Sequence, residues 1–548
     1  MSKRYAVLIA LAAVALAAIG CGGSSSSGGG GGSGGFLRIG DASSKIDSTN
    51  PFVSQNFFGF MTFRYNYPHL VQYDAQDKDI VPDFAKSVSS SPDGRTWTFD
   101  LHDGAKWSDG QPLTSADVKW SIDTTLKYQS GPSALLAGLV ANVASVTAPS
   151  PTRVVITYKQ AAANSQSLLA NFPILPQHVW ASHLGADGKG LTTWTNPAPI
   201  VSGGPYQLEK YTPDVSMLFK ANPSYYGAKP KLSGFGLQFF GSNDAMVSAL
   251  KQNQLDVGLE VPPLAVKTLQ QDQGVSIGSP PGPDETAIIV NSNPKKTNHK
   301  ELQIPAVRRA MSMALDRKKL VDIVTDGTGV AATTLIPPTV PKWSADGKLP
   351  AFPRDVAGAN KLLDSLGFKR GPDGIRVANG QKMIYDFNYC ACYGDRPQAT
   401  IQADLKEIGI GLNVKAADPK AYIGAFSEPN NKFLDYDLGM YDDQAHPDPS
   451  AMLGDVSCTQ RGNANFSYYC DPRYEKMFQQ QASLLDEQKR IDLVVKMQAF
   501  IRDQAPWIPM YDPPVPVAWR SNVKDFRPSG LIIDTLSTAQ LTDVSISK

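Results

Sequence analysis

The chain is expected to be an α/β protein built from more than one domain, and three observations lead there. From about Ala287 to Met510 strand and helix patterns alternate, which favours a mixed α/β domain with a largely parallel sheet. Between Val81 and Tyr158, strand patterns and turn signals surround one capped helix, the pattern of a self-contained α+β unit. The roughly 510 residues beyond Gly35 are enough for two or three domains with substantial cores.

Lys3 and Arg4 precede an uncharged apolar stretch from Tyr5 to Ile19. That stretch falls short of the roughly 20 residues a spanning helix needs and fits the core of a secretion signal. Gly20 and Cys21 follow it and resemble a lipobox, with Ala18 where Leu is usual. Residues 1–21 are therefore expected to be a lipoprotein signal whose Cys21 carries the lipid. Residues 22–35 are only Gly and Ser, with no side chain to bury and maximal backbone entropy to lose, and are expected to form a tether. Gly31-Gly32-Ser33-Gly34-Gly35 formally matches a nucleophile elbow, but no strand precedes it and no helix follows, so it carries no weight.

Thr96 to Leu101 alternates polar and apolar residues and reads as a half-buried strand, entered through the turn Pro92-Asp93-Gly94. Thr114 and Asp117 form a capping signal for a helix with Val118, Ile122 and Leu126 on one face. Arg153 to Tyr158 reads as another strand. A helix starts at Pro305 and its stripe runs on through Leu320, Ile323 and Val324 towards Gly327. Ala357–Leu366 and Thr400–Ile408 read as helices stopped by Gly367 and Gly409. Ile410–Val414 reads as a strand, and Leu493, Met497, Phe500 and Ile501 mark one more amphipathic helix.

Lys plus Arg number 52 and Asp plus Glu 51, so no basic stripe argues for nucleic acid, and no second apolar run argues for a spanning helix. Cys458 and Cys470 are placed to close a disulfide in an oxidising compartment. Cys390 and Cys392 form a CxC that is read equally as a bridge or as two free thiols; it has too few ligands nearby for a zinc site.

Several segments, in order, resemble the peptide-type solute-binding proteins of ABC importers, the oligopeptide- and dipeptide-binding family 5. They are Val81-Pro82-Asp83-Phe84 with Pro92-Asp93-Gly94-Arg95-Thr96-Trp97, then Asp103 to Val118. Ser202-Gly203-Gly204-Pro205-Tyr206 with Asn222-Pro223-Ser224-Tyr225-Tyr226 is similar to the family's GTGPY…NPxYW, with Ser202-Gly203-Gly204 standing for GTG. Val307-Arg308-Arg309-Ala310 to Arg317, Gln402 to Ile410, and Pro506 to Tyr511 complete the set. The resemblance implies a two-lobed periplasmic-binding-protein-like fold, type II of the large peptide-binding class, with an inserted α+β domain. Lobe 1 would be 36–68, 200–285 and 511–548, the insertion 69–199, and lobe 2 286–510.

The resemblance also implies a peptide ligand, delivery to a membrane permease with its ATPase, a monomer held at the membrane by its lipid, and no cofactor or catalysis. Gly439 to Pro449 resembles the loop that supplies an Asp to the peptide ammonium, so Asp442 and Asp443 are both candidates, with Asp443 preferred. Arg396 is the candidate for the peptide carboxylate, which a guanidinium grips in two places. Tyr441, and Asn56 and Phe57 with Phe58, are expected at the cleft, with core packing as the competing role for the aromatics. His446 is the residue through which a nickel chelate would bind. Asp448 reads as an Asx turn before Pro449. Other solutes of the same family, oligosaccharide or haem among them, are the main alternative. A secreted hydrolase is the distant one, since no HExxH or P-loop pattern is present.

Overall fold

Two large sheets divide most of the strands between them. In the computed structural model the described residues are 34–42, 46–54, 57–74, 79–426, 435–462, 464–528 and 537–547. Residues 1–33 with Cys21, Asn56, and the side chains of Phe57 and Phe58 lie outside them.

The first sheet has seven strands in the order Val275–Gly278, Val517–Arg520, Val257–Gly258, Phe36–Asp41, Gly234–Phe239, Ser216–Ala221 and Tyr206–Thr212. The second has six, in the order Val330–Ala331, Trp507–Asp512, Asp284–Val290, Leu438–Gln444, Ile384–Cys390 and Gly411–Ala417. A separate four-stranded antiparallel sheet, Ala85–Ser90, Thr96–Leu101, Arg153–Tyr158 and Val143–Ser150, carries the helix Ser115–Lys127. The α/β architecture is two-lobed. The chain passes between the two large sheets at 279–283 and again at 513–516. These crossings are bonded to each other, Gly282 N–H to the Pro513 carbonyl at 2.9 Å and Val515 N–H to that of Pro280 at 3.0 Å. The sequence-expected junctions at 285/286 and 510/511 fall inside the strands Asp284–Val290 and Trp507–Asp512.

The six-stranded sheet is mixed rather than largely parallel. Ile384–Cys390 runs parallel to both its neighbours, but Asp284–Val290 is antiparallel to both of its own. The reason is topological. The chain enters this sheet on Asp284–Val290 and leaves it on the adjoining Trp507–Asp512, at the same edge of the lobe, so the two strands must run in opposite directions.

Local signals held where they were strong. Thr96–Leu101 is a strand with Trp97, Phe99 and Leu101 buried. Thr114 and Asp117 form the capping box of Ser115–Lys127. The long helix expected from Pro305 is instead two, Pro305–Ala314 and Arg317–Val324. Asp316 breaks it by capping the second, accepting from Lys319 N–H at 3.0 Å. Arg317 then turns inward to bond the carbonyls of Ala332 and Pro509, at 2.7 and 2.9 Å.

The segments that carry the family resemblance meet one another. Gly203 and Gly204 both donate N–H to the Asn66 carbonyl at 2.9 Å, and a Cβ on Gly204 would collide with the Tyr65 carbonyl. The Ser202 hydroxyl lies 2.6 Å from the Tyr206 carbonyl and 2.8 Å from that of Asn66. Asn222 donates to the Gly204 carbonyl at 2.8 Å, and the Tyr226 hydroxyl to Asp83 at 2.7 Å. These motifs hold the scaffold together.

Both cysteine pairs are bridged, Cys458 to Cys470 and Cys390 to Cys392. Asp448 forms the expected Asx turn, accepting from Ser450 N–H at 2.9 Å, and also pairs with Arg490 at 2.8 Å.

Candidate functional site

The two strands that start and finish at the hinge edge of the six-stranded sheet bring carboxylates together. Asp284–Val290 pairs with Leu438–Gln444 so that Asp284 faces Gln444, Glu285 faces Asp443, and Thr286 faces Asp442. Side chains alternate along a strand, so Asp442 and Asp443 point to opposite faces of the sheet.

Asp442 shares a face with Met440. Thr286 and Tyr393 donate hydrogen bonds to its carboxylate, while its Oδ1 is buried with no partner among the described residues. Burial pushes Asp442 up to about 6, against those two bonds, and Asp443 pushes the same way. Asp284 is pushed up to about 8, by burial first and then by Asp442.

Asp443 shares a face with Tyr441. It lines a cavity of about 300 Å³ with Gln444, His446, Asp455 and Gln460. Behind it Glu285 is fully buried; its Oε2 accepts from Trp507 Nε1–H at 2.6 Å, and its Oε1 has no partner among the described residues. Burial, reinforced by Asp512, lifts Glu285 well above the ordinary carboxylate range. Asp455 is lifted the same way by burial and by Asp443, to which it is hydrogen-bonded. Asp512 completes the group, raised by burial and then by Asp346 and Asp284.

Two basic groups approach this wall. Burial lowers His446, and Arg64 lowers it further. Arg64 comes from the helix Phe57–Asn66, outside the six-stranded sheet, and still acts on His446. Arg64 bonds Asn171 Oδ1 at 2.5 Å and lies 4.4 Å from the centre of the Tyr73 ring. The result is a polar, net-acidic recess, which suits a ligand's positive charge.

The structure thus brings Asp442, Asp443, Tyr441 and His446 to one end of one strand and the turn that follows it. Tyr441 is half-buried in an aromatic cluster, with ring centres 5.2 Å from Phe466, and 5.9 Å from both Phe426 and Trp507. Gly439 makes room for it, since a Cβ there would strike the Phe426 ring. Arg396 is not in this group and does not line the cavity. The helix expected from Thr400 begins at Asp395, with Pro397 tolerated in its first turn, so Arg396 is helical. Its exposed guanidinium sits 3.5 Å from the Ile323 carbonyl. Asp284, Glu285, Asp455, Asp512 and Arg64 were missed in the sequence. The one legible signal was an acid pair, Asp284-Glu285, opening an otherwise apolar strand.

A second cavity, of about 230 Å³, is lined by Lys231, Asp525, Arg527, Gln540 and Asp543. Its charges are of both signs, and the acid-bearing strands are not part of it. Among the described residues no group of His, Cys, Asp and Glu is placed to hold a metal ion, and no helix is long and apolar enough to cross a membrane.

Residues 79–463 match the family of bacterial extracellular solute-binding proteins, family 5, and the chain belongs to that family. Among curated proteins it is 24% identical over 499 residues to the dipeptide-binding protein of Escherichia coli, covering 88% of this chain and 89% of that one. Its fold is shared with the oligopeptide-binding protein AppA from Bacillus subtilis in complex with a nonapeptide. The TM-score there is 0.75 at 20% identity, with 94% and 99% of the two chains covered. NikZ from Campylobacter jejuni in complex with Ni(L-His) has the same fold, with TM-score 0.76 at 19% identity and 93% and 99% covered.

Proposed function

We propose that this family 5 protein captures peptides in the cleft between its lobes and hands them to the permease of an ABC importer. The observation that carries the reading is Asp443. It lines an open cavity among carboxyls that burial and mutual repulsion push towards protonation, and the ammonium of a peptide there would relieve that repulsion. The names of the relatives support the same class of ligand, a dipeptide in one case and a nonapeptide in another. Asp443 takes the ammonium, with Asp442 on the other face of the strand as the competing candidate. Arg396, exposed and without an ion-pair partner among the described residues, takes the carboxylate of the peptide. Tyr441 packs behind Asp443 rather than against the ligand.

In this reading the protein is not an enzyme and needs no cofactor. It works outside the cytoplasm as a monomer, anchored through a lipid on Cys21 and the Gly/Ser tether.

The test is calorimetric titration with di- to nonapeptides, their N-acetylated forms, cello-oligosaccharides and nickel–histidine. Binding of peptides, lost on N-acetylation and in Asp443→Ala, supports the reading. Binding only of nickel–histidine, abolished in His446→Ala, or only of a sugar, overturns the peptide assignment and leaves the family intact.

A further inference from the structure

The cavity beside Asp443 contains a second carboxyl group, that of Asp455, which is hydrogen-bonded to Asp443. Asp455 follows the short helix Ser450–Gly454, lines the same cavity and is 7% exposed. Its Oδ2 has no hydrogen-bond partner among the described residues. A buried acceptor left unpaired is costly, so the fold maintains this one at a loss.

Two arginines stand near the cavity, and neither pairs with Asp455 among the described residues. Arg490 pairs with Asp448 at 2.8 Å and lies 4.8 Å from the centre of the Trp343 ring. Arg64 is held by Asn171 and Tyr73. The rest of the lining is divided by chemistry. Ala451, Ala464 and Phe478 supply apolar wall, and Gln444 and Gln460 supply polar groups. At about 300 Å³ the cavity is at the lower end of the range for ligand pockets, suited to one side chain rather than a whole peptide.

We propose that this cavity is a subsite for a basic side chain, a guanidinium or ammonium carried by one of the first two residues of the ligand, with Asp455 as its carboxylate partner. The inference rests on the peptide reading above and narrows it to cationic peptides. The methylene stem lies along the apolar wall while the charged head reaches the carboxylate, the way long basic side chains divide themselves between two environments. A guanidinium fits best because its several donors can reach the unpaired Oδ2 of Asp455 and neighbouring Asp443 together.

The experiment compares affinities for Ala-Ala-Ala, Arg-Ala-Ala, Ala-Arg-Ala, and the same two peptides with citrulline in place of arginine. Citrulline keeps the shape and removes the charge. The expected result is that one arginine peptide binds at least about tenfold tighter than its citrulline partner, the size of one charge-assisted hydrogen bond. That preference, read as the ratio of arginine- to citrulline-peptide affinity within one variant so that any change in the shared ammonium grip cancels, is lost in Asp455→Asn. Ala451→Leu, at an exposed position on the cavity wall, serves if Asp455→Asn does not fold, and is expected to abolish the same preference by filling the space. Equal affinity for arginine and citrulline peptides overturns the subsite and leaves peptide binding standing, as does a preference that survives in both variants. Failure of every peptide to bind overturns both.

Discussion

Glu285 and Asp443 stand directly opposite each other on adjacent antiparallel strands, and neither forms an ion pair with a cation among the described residues. Like charges in that relation repel. The repulsion is relieved by protonation. Glu285, fully buried and bonded to Trp507, is the member lifted well above the usual carboxylate range, which leaves Asp443 to face the cavity.

This arrangement sets a pH dependence whose sign can be worked out. Asp284, Glu285, Asp455 and Asp512 all have folded-state values above their unfolded ones, so the folded chain binds more protons and loses stability as pH rises. His299, raised by its bond to Glu301, acts in the same direction. His69 and His446, lowered by burial, act oppositely, but only below about pH 6.5. Between pH 6.5 and 8 the melting temperature is therefore expected to fall. Glu285→Gln keeps an acceptor for Trp507 and removes one titration. It is expected within about 1 kcal/mol of the parent at pH 6.5 and more stable by about 1–2 kcal/mol at pH 8. Melting curves at the two pH values check this, and a parent stability that is flat or rises refutes it.

Arg396 has a simple test. If it receives the peptide carboxylate, Arg396→Ala weakens free-acid peptides by about tenfold or more, and C-terminally amidated peptides bind the parent and the variant alike. Equal weakening of both forms removes the assignment. Its place on the surface predicts a stability change within about 0.5 kcal/mol.

Lys296 shows how much a buried charge depends on its partners. Its side chain is fully buried, and its three donors reach Asp435, Asp437 and the Tyr436 carbonyl at 2.8–2.9 Å. Lys296→Met leaves buried Asp437 with only the Asp386 N–H and His299, 4.0 Å away, and is expected to cost about 3–5 kcal/mol in denaturant unfolding. A loss below 1 kcal/mol would show that the carboxylates find water instead.

The Cys458–Cys470 bridge closes a short loop, with 12 residues of sequence separation. Replacing both cysteines by serine is expected to remove about 2–3 kcal/mol, chiefly by freeing the unfolded chain. Peptide affinity is expected to fall in the same variant, because Gln460 and Ala464 of the cavity wall lie inside that loop.

Much of this fold was legible residue by residue. The strand Thr96–Leu101 alternates because one of its faces is buried, and Thr114 with Asp117 marks a helix start by local hydrogen bonds alone. Asp443 and His446 were legible as candidates because they lie in one short segment of recognisable pattern, and both line the cavity. Asp455, Glu285 and Arg64 were not, because each comes from a different segment and they meet only once register and lobe placement are set. The break at Asp316 is hidden in the sequence for a related reason. Apolar periodicity continues across it, and what interrupts the helix is a cap together with the pull of Ala332 and Pro509 on Arg317.

By itself the sequence determined the α/β class, the positions of most elements, the Cys458–Cys470 pair and the family, since these depend on side-chain periodicity, short-range capping and ordered motifs. Tertiary structure alone decided that the six-stranded sheet is mixed, that Arg396 lies apart from the acid pairs, and that several carboxyls share one recess. Strand direction follows from where the chain enters and leaves a lobe. The shifted titration of the carboxyls follows from burial beside like charges, and both are relations between residues far apart in the chain.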